Sequence, residues 1–395
     1  MQTLLFILGL VLFAGLVIVH EWGHFFVARR NGVKAEEFGL GIPPRAWGKK
    51  LKSGMIISLN WLPIGGFVKL KGENDSDTRS GSFGAASLLA KTKIILAGVF
   101  MNLITGLVLL TILALVGMPK LLTQDSVGQD QFTVASDTKV SHQDLIAGYI
   151  QPGSPADKIG LSSRDIILQV KNGSDVRSIK NVQQLHDATH DFAGQAIQLT
   201  YKHNNQLVTK DVKLRSAAEV QASIKSDNPK GNLGISPTEL QIRRSTWSAP
   251  IVALGFTKQL FVLTFQGLGH ALSGLASIIA GGLTGNHRAR ENGQTKATSQ
   301  VGGPVAIGAI LWGSGTLGIY FVLMIIAIIS LTLALMNVLP IPALDGGRLF
   351  LILISRGLLR RPLSRKVEES IVGASMALLL ALFILITIVD VRRFL

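Results

Sequence analysis

Long uncharged runs set the pattern of this chain, and a polar stretch with strand-like alternation interrupts them. Leu4 to Val19 carries no charge, and the apolar pattern continues through Phe25-Phe26-Val27-Ala28. Ile94 to Met118 is a second such run, and Ser370 to Val389 closes the series. Val301 to Leu344 is also free of formal charge, but it is too long for one helix. An apolar helix crosses a bilayer with about 20 residues, so part of that run must be loop or re-entrant. Gly302-Gly303-Pro304 and Gly313-Ser314-Gly315 are the expected breaks, which leaves Leu317 to about Leu339 as the span. The first run reads as a span and not as a cleaved leader, because no basic residues precede it and no small-residue cleavage site follows.

Between the second and third runs, Gln124 to Ser245 is polar. Ile197-Gln198-Leu199-Thr200-Tyr201 alternates with period two, and His203-Asn204-Asn205 leads into Leu207-Val208 and Val212-Leu214. That is the signature of a hairpin in a soluble domain. A shorter strand-rich stretch, Met55 to Lys71, follows the first run.

Composition agrees with a polytopic membrane protein: 395 residues, 48% hydrophobic and only 16% charged. The net charge of +15 could serve nucleic acid, but aromatics are 6% and no nucleic-acid motif is present. Basic loops beside anionic lipid account for the sign. With no cysteine, disulfides, thiolate ligands and thiol catalysis are excluded, and a metal must take His and carboxylate ligands. Residues 29–53 carry seven Lys/Arg against two acids, and 355–366 carries Arg356, Arg360, Arg361, Arg365 and Lys366 without an acid. Both loops are expected on the cytoplasmic side. The N-terminus and the soluble domain are then outside. Arg392-Arg393 would also fall outside, against the rule. Gln259 to Gly285 is uncharged and could be a fifth span.

His20-Glu21-Trp22-Gly23-His24 carries the chemistry. Imidazoles four residues apart share one helix face, one turn apart, and can grip one zinc ion. Glu21 lies about 100° round the helix, where it can take a proton from the water that a metal activates. Three ionisable residues at the end of an apolar helix point to a functional site; the bland reading is ordinary polar flanking at the interface. A third ligand is expected from Asp345, the first charge after the long uncharged run, within Pro340-Ile341-Pro342-Ala343-Leu344-Asp345-Gly346-Gly347. Such irregular backbone is tolerated at membrane depth only where protein or a cavity surrounds it. If 259–285 crossed fully, Asp345 would emerge a bilayer away from His20 and His24. Four spans let them meet at the cytoplasmic face, so 259–285 is expected to be interfacial or re-entrant.

At these residues the sequence resembles the site-2 protease family, in particular the bacterial zinc proteases of regulated intramembrane proteolysis with one PDZ domain, Gram-positive type. His20-Glu21-Trp22-Gly23-His24 is similar to its HExxH, and 337–346 to its N-x-x-P-x-x-x-L-D-G. The resemblance implies zinc held by His20, His24 and Asp345, Glu21 as base, and Asn337 helping to hold substrate. It implies that the loop at Gly66-Phe67 presents substrate as an extended strand. Ala97-Gly98-Val99-Phe100-Met101-Asn102 looks like the family's A-G-P-x-x-N, with Val99 in place of Pro. Tyr149 to Ala156 and Gly160 to Ile167 look like a PDZ carboxylate loop and following strand, with Arg164 where glycine is common.

The implied fold is a polytopic α-helical membrane protein with four transmembrane helices, a membrane-associated β-loop and an inserted extracytoplasmic α+β PDZ domain. Its map is 1–30, first span; 31–90, β-loop region; 91–118, second span; 119–245, extracytoplasmic region with a PDZ domain at about 145–216. It continues with 246–300, interfacial or re-entrant helices; 301–346, re-entrant segment and third span; 347–369, basic loop; 370–395, fourth span. The implied substrates are single-pass membrane proteins such as anti-sigma factors, or signal-peptide remnants. No nucleic acid and no organic cofactor are expected, and the site is expected near the cytoplasmic face of the cell membrane. Two other classes fit parts of the sequence. A membrane adaptor would need no zinc, and a zinc-dependent transporter would show flux without cleavage; neither gives Glu21 a role.

Overall fold

The computed structural model describes residues 1–395 except 124–126, 205, 226–228, 285, 289–291, 293–302, 359 and 395. Asn205 and Gly302, named above at expected turns and breaks, lie outside the described residues. The chain divides into two units: Met1–Leu115 with Trp247–Leu395, and Val116–Thr246.

The first unit is a helical bundle. Its elements are α1 (Gln2–Arg30), the strands β1 (Ala35–Lys50) and β2 (Ile56–Leu70), and α2 (Leu88–Val116). After the second unit come α6 (Ala249–Thr284), α7 (Pro304–Leu317), α8 (Ile319–Val338), α9 (Asp345–Gly357) and α10 (Arg365–Phe394). Five helices are long and apolar enough to cross a membrane among the described residues: α1, α2, most of α6, α8 and most of α10. The chain is thus an α+β protein with several candidate membrane helices. The stretch expected to be interfacial is part of a 36-residue helix, α6.

Within the run 301–344 the break falls elsewhere than expected. Gly313-Ser314-Gly315 is inside α7, because Gly315 lets that helix approach α1: a Cβ there would lie 3.1 Å from the Gln2 carbonyl oxygen. The chain breaks at Gly318, whose φ of +106° only glycine adopts readily. Two further helix starts differ from expectation. α9 occupies much of the basic loop, and α10 begins at Arg365, so Arg365 and Lys366 belong to its first turn.

Small residues set helix packing, as expected where lipid removes the hydrophobic drive between helices. A Cβ on Gly9 would touch Leu311 and Val322, and one on Gly106 would fall 2.6 Å from Leu331. The Ser330 hydroxyl donates to the Asn102 carbonyl at 2.8 Å, tying α8 to α2. At the N-terminus of α7, Asp390 of α10 accepts from the backbone N–H groups of Gly303 (2.8 Å) and Ala306 (3.0 Å), satisfying donors that the helix cannot.

Residues 35–50 form a strand that alternation did not reveal, because it is broken by Gly39, Gly41, Pro43 and Pro44. Its register is doubled. Phe38 is opposite both Ile57 and Val68, and Gly39 opposite both Ser58 and Phe67. Residues 37–40 therefore lie between two parts of β2, and 66–70 forms an outer edge.

The second unit holds β3 (Met118–Pro119), β4 (Lys139–Ile150), α3 (Pro155–Lys158), β5 (Ile166–Asn172), β6 (Asp175–Ser178), α4 (Val182–Asp191), β7 (Ala196–His203), β8 (Gln206–Lys213), α5 (Ala217–Ser223) and β9 (Ile235–Arg244). Its sheet runs β3-β9-β4-β5-β7-β8, with β6 on β5. Alternation in β7 buries Ile197, Leu199 and Tyr201 against Leu145, Ile167 and Leu185, and β7 pairs with β8 as the expected hairpin. The sheet extends beyond 145–216, since β9 pairs along β4, and β3, by which the chain arrives, pairs with β9. Tyr149 to Ala156 runs from the end of β4 into the short helix α3, and β5 follows at Ile166. Ser154 caps the short helix α3, accepting from Asp157 N–H. Arg164 has φ +77°, which explains why glycine suits that position.

An ion cluster ties the last turn of α9 to the first turn of α2. Lys91 of α2, fully buried, donates to Asp75 and to the Gly84 carbonyl (2.8 Å). Arg356, in the last turn of α9, donates to Asp75 Oδ2 at 2.8 Å, and Glu368 of α10 accepts from Asp75 N–H at 3.1 Å. Burial pushes the Asp75 carboxyl up, but hydrogen bonds from Arg356 and Lys91 outweigh it and hold it below the ordinary carboxylate range. Its contribution to stability is therefore complete at neutral pH and is lost only as pH falls through that lowered value. Asp75→Ala would leave the fully buried Lys91 ammonium without the carboxylate it donates to. A loss of roughly 3–5 kcal/mol is expected, measured as a lowered unfolding midpoint of the purified protein.

Candidate metal centre

Three helices meet at the site. His20 and His24 project from α1, Gly98 comes from α2, and Asp345 opens α9. The turn before α9 is folded so tightly that only glycine fits after Asp345. A Cβ on Gly346 would sit 2.1 Å from the Val338 carbonyl oxygen, and one on Gly347 2.0 Å from that of Ile341. The two glycines let residues 339–344 double back, and this aims Asp345 at α1.

The ligand atoms form a nearly equilateral triangle. His20 Nε2 and His24 Nε2 are 3.1 Å apart. Asp345 Oδ2 is 3.2 Å from the first and 3.3 Å from the second. Tetrahedral coordination with ligand bonds of roughly 2.0–2.1 Å needs edges of about 3.3 Å, so the triangle is the size of one face of a zinc site.

Tautomers strengthen the fit. His24 Nδ1 lies 2.8 Å from the Ile94 carbonyl, which can only accept, so Nδ1 carries the proton and Nε2 presents a lone pair. His20 Nδ1 lies 3.2 Å from the Asn102 amide, whose Oδ1 is buried without a partner. Turning that amide gives the oxygen to the Nδ1–H of a metal-binding His20. Asp345 Oδ2 likewise has no hydrogen-bond partner. With that amide turned, three acceptors face one another without a donor, an arrangement that suits a cation. Among the described residues, these three are the group of His, Asp and Glu side chains placed to hold one.

Glu21 joins the triad in lining a cavity of about 340 Å³. Phe67, Val68, Lys69 and Leu70 of the β2 edge form another wall, and Glu73 and Arg348 a third. Gly66 packs on Glu21, since a Cβ there would lie 3.3 Å from Glu21 Cγ. Phe67 covers Gly39, whose added Cβ would meet its ring at 2.4 Å. Asn337, half-buried in the last turn of α8, does not line this cavity. Sequence reasoning missed Gly98, Asn102, Glu73 and Arg348 as site residues. Gly98 and Asn102 fall in the Ala97–Asn102 motif, which was noted only as a match, whereas Glu73 and Arg348 sit in no repeated spacing.

Fold and site together define a metallopeptidase built into a membrane bundle. The sequence matches peptidase family M50 over residues 8–382, and the chain belongs to that family. It is similar to a protein of Clostridium perfringens (strain 13 / Type A), 29% identical over 385 residues, covering 98% of each chain. A Clostridium acetobutylicum protein is 29% identical over 98% of this chain and 96% of its own. One from Streptococcus pyogenes serotype M6 is 26% identical over 97% and 98% respectively. Each is named "putative zinc metalloprotease". The chain is accordingly a zinc metalloprotease of the site-2 type, and zinc is its cofactor.

Gly98 gives a sharp test. A Cβ there would lie 2.3 Å from His24 Nε2 and 2.7 Å from His20 Nε2, among the ligand atoms themselves. Gly98→Ala is expected to lose most bound zinc, measured by elemental analysis of purified protein, while circular dichroism keeps its helix content.

Proposed function

We propose that the protein cleaves peptide bonds in or near the transmembrane segments of single-pass membrane proteins, with Glu21 as general base. The observation that carries this reading is a shared cavity: ligand triad, Glu21 and an outer strand edge all face it. Zinc at the triad supplies polarisation of the scissile carbonyl and acidification of a water. Glu21 accepts that water's proton and returns it to the leaving amine. A helical substrate hides its carbonyls in intrahelical bonds, so it must unwind first. The unwound segment pairs with the β2 edge near Gly66 and Phe67, using main-chain hydrogen bonds. Asn337 can take part in holding substrate only if the strand runs beyond the cavity to the end of α8.

In this reading four helices cross the cell membrane: α1, α2, α8 and α10. Support comes from α7. Its C-terminal half meets Gln2 and its N-terminus meets Asp390, far along α10 from Arg365. It therefore lies in the half of the bundle remote from His24 and Asp345. α6 leaves from the soluble unit and α7 follows it, so a full crossing by α6 would need a second crossing before Gly303. The 29–53 and 355–366 basic segments put the site at the cytoplasmic face. The second unit is then extracytoplasmic and acts as a PDZ-type filter on substrates already trimmed outside. Anti-sigma factors and signal-peptide remnants have the required single-pass form.

Two experiments test the reading. Glu21→Gln should keep zinc and fold yet cut no membrane peptide, measured by comparing membrane peptides from cells with parent or variant. Full activity in purified Glu21→Gln would sink the mechanism. Topology is accessible because the chain has no cysteine. Ser178→Cys should react with an impermeant maleimide on intact cells, and Lys50→Cys only after permeabilisation.

A further inference from the structure

The strand edge that faces the cavity is not bare. Lys71 N–H points inward and donates to the Lys34 carbonyl at 2.8 Å. Successive strand residues alternate in direction, so the N–H groups of Leu70 and Val68 point outward, toward the cavity. Leu70 N–H donates to Glu73 Oε1 at 2.7 Å. This outward donor thus meets a side-chain carboxylate where a docked strand would bring a backbone carbonyl.

Glu73 is held in place for this. Arg348, one turn beyond Asp345, donates to the Glu73 carbonyl and lies 4.9 Å over the Phe83 ring. The segment carrying Glu73 is thereby tied to the helix that carries the aspartate ligand.

We propose that Glu73 is an intramolecular competitor for the substrate strand, its carboxylate occupying on Leu70 N–H the position that a substrate backbone carbonyl takes. The inference rests on the strand-edge reading of the proposed function. Docking then exchanges one hydrogen bond for another: Leu70 N–H passes from Glu73 to the substrate carbonyl, and the carboxylate turns into the cavity. A charge-assisted bond must be given up for a neutral one, so Glu73 raises the concentration at which peptide binds without altering the hydrolytic step. A side chain that only stabilises the turn after β2 would have no such effect.

The test uses full-length zinc-loaded protein in detergent with Glu21→Gln, so that the probe survives. The probe is a fluorescein-labelled ten-residue apolar peptide with a central Gly-Gly, and its Kd is read by anisotropy. Adding Glu73→Ala should tighten binding about three- to tenfold, the worth of one net hydrogen bond. Glu73→Gln, which keeps a neutral oxygen, should tighten it less. With Glu21 restored, Glu73→Ala should lower KM by the same factor and leave kcat unchanged. An unchanged or weaker Kd in Glu73→Ala, at equal zinc content and melting temperature, overturns the proposal. If Glu73→Ala does not fold, Glu73→Gln carries the test, with an unchanged Kd overturning it. A second probe with alternate amides N-methylated cannot pair as a strand and should bind at least tenfold more weakly. Equal binding of both probes would overturn the strand-edge reading and this inference with it. Sensitivity to N-methylation without any effect of Glu73 variants would overturn this inference alone.

Discussion

Two imidazole nitrogens and a carboxylate oxygen, each offering a lone pair to the same small space, cannot stay together without positive charge between them. A dication among them turns that repulsion into attraction. The surrounding arrangement follows from this. α1 must stand with one face toward α9. α2 must lack a side chain at Gly98. The Ile94 carbonyl and Asn102 amide must fix the ring tautomers from behind. The turn before Asp345 must be tight enough to need two glycines. None of these features is explained by packing alone.

The polar groups around the site divide into two kinds. Asp75 and Lys91 are buried, half-buried Arg356 joins them, and the three hold the ends of α2 and α9 together. Such a cluster gains little over apolar packing but is costly to break, so it specifies one arrangement of helix ends. Glu21, Glu73 and Arg348 instead face the cavity. They keep it polar, and a hydrolase needs water at its metal.

The triad was legible in the sequence because its signals are local and chemically distinctive. Four-residue spacing of His20 and His24 needs no tertiary knowledge, and Asp345 stood out as the first charge after a long uncharged run. The β7–β8 hairpin was legible for a similar reason, its alternation being uninterrupted. β1 was not, since glycines and prolines break its period and its pairing is with two distant parts of β2. The break at Gly318 was misplaced because glycine serves both as a hinge and as a close-packing residue. The approach of Gln2 to Gly315 and the positive φ of Gly318 tell the two uses apart. Gly98 carries no chemistry of its own, and its importance is the absence of a methyl group. Glu73 became visible only when the direction of the Leu70 N–H was known.

His20 and Asp345 lie near opposite ends of the chain, yet their side chains meet at 3.2 Å. During synthesis the helix with the histidines reaches the bilayer long before the aspartate leaves the ribosome. Until α9 has docked, His20 and His24 stand without the carboxylate that completes the triad. The order of the sequence therefore acts as a delay: the metal centre is complete only once the later of two widely separated segments has been made and docked.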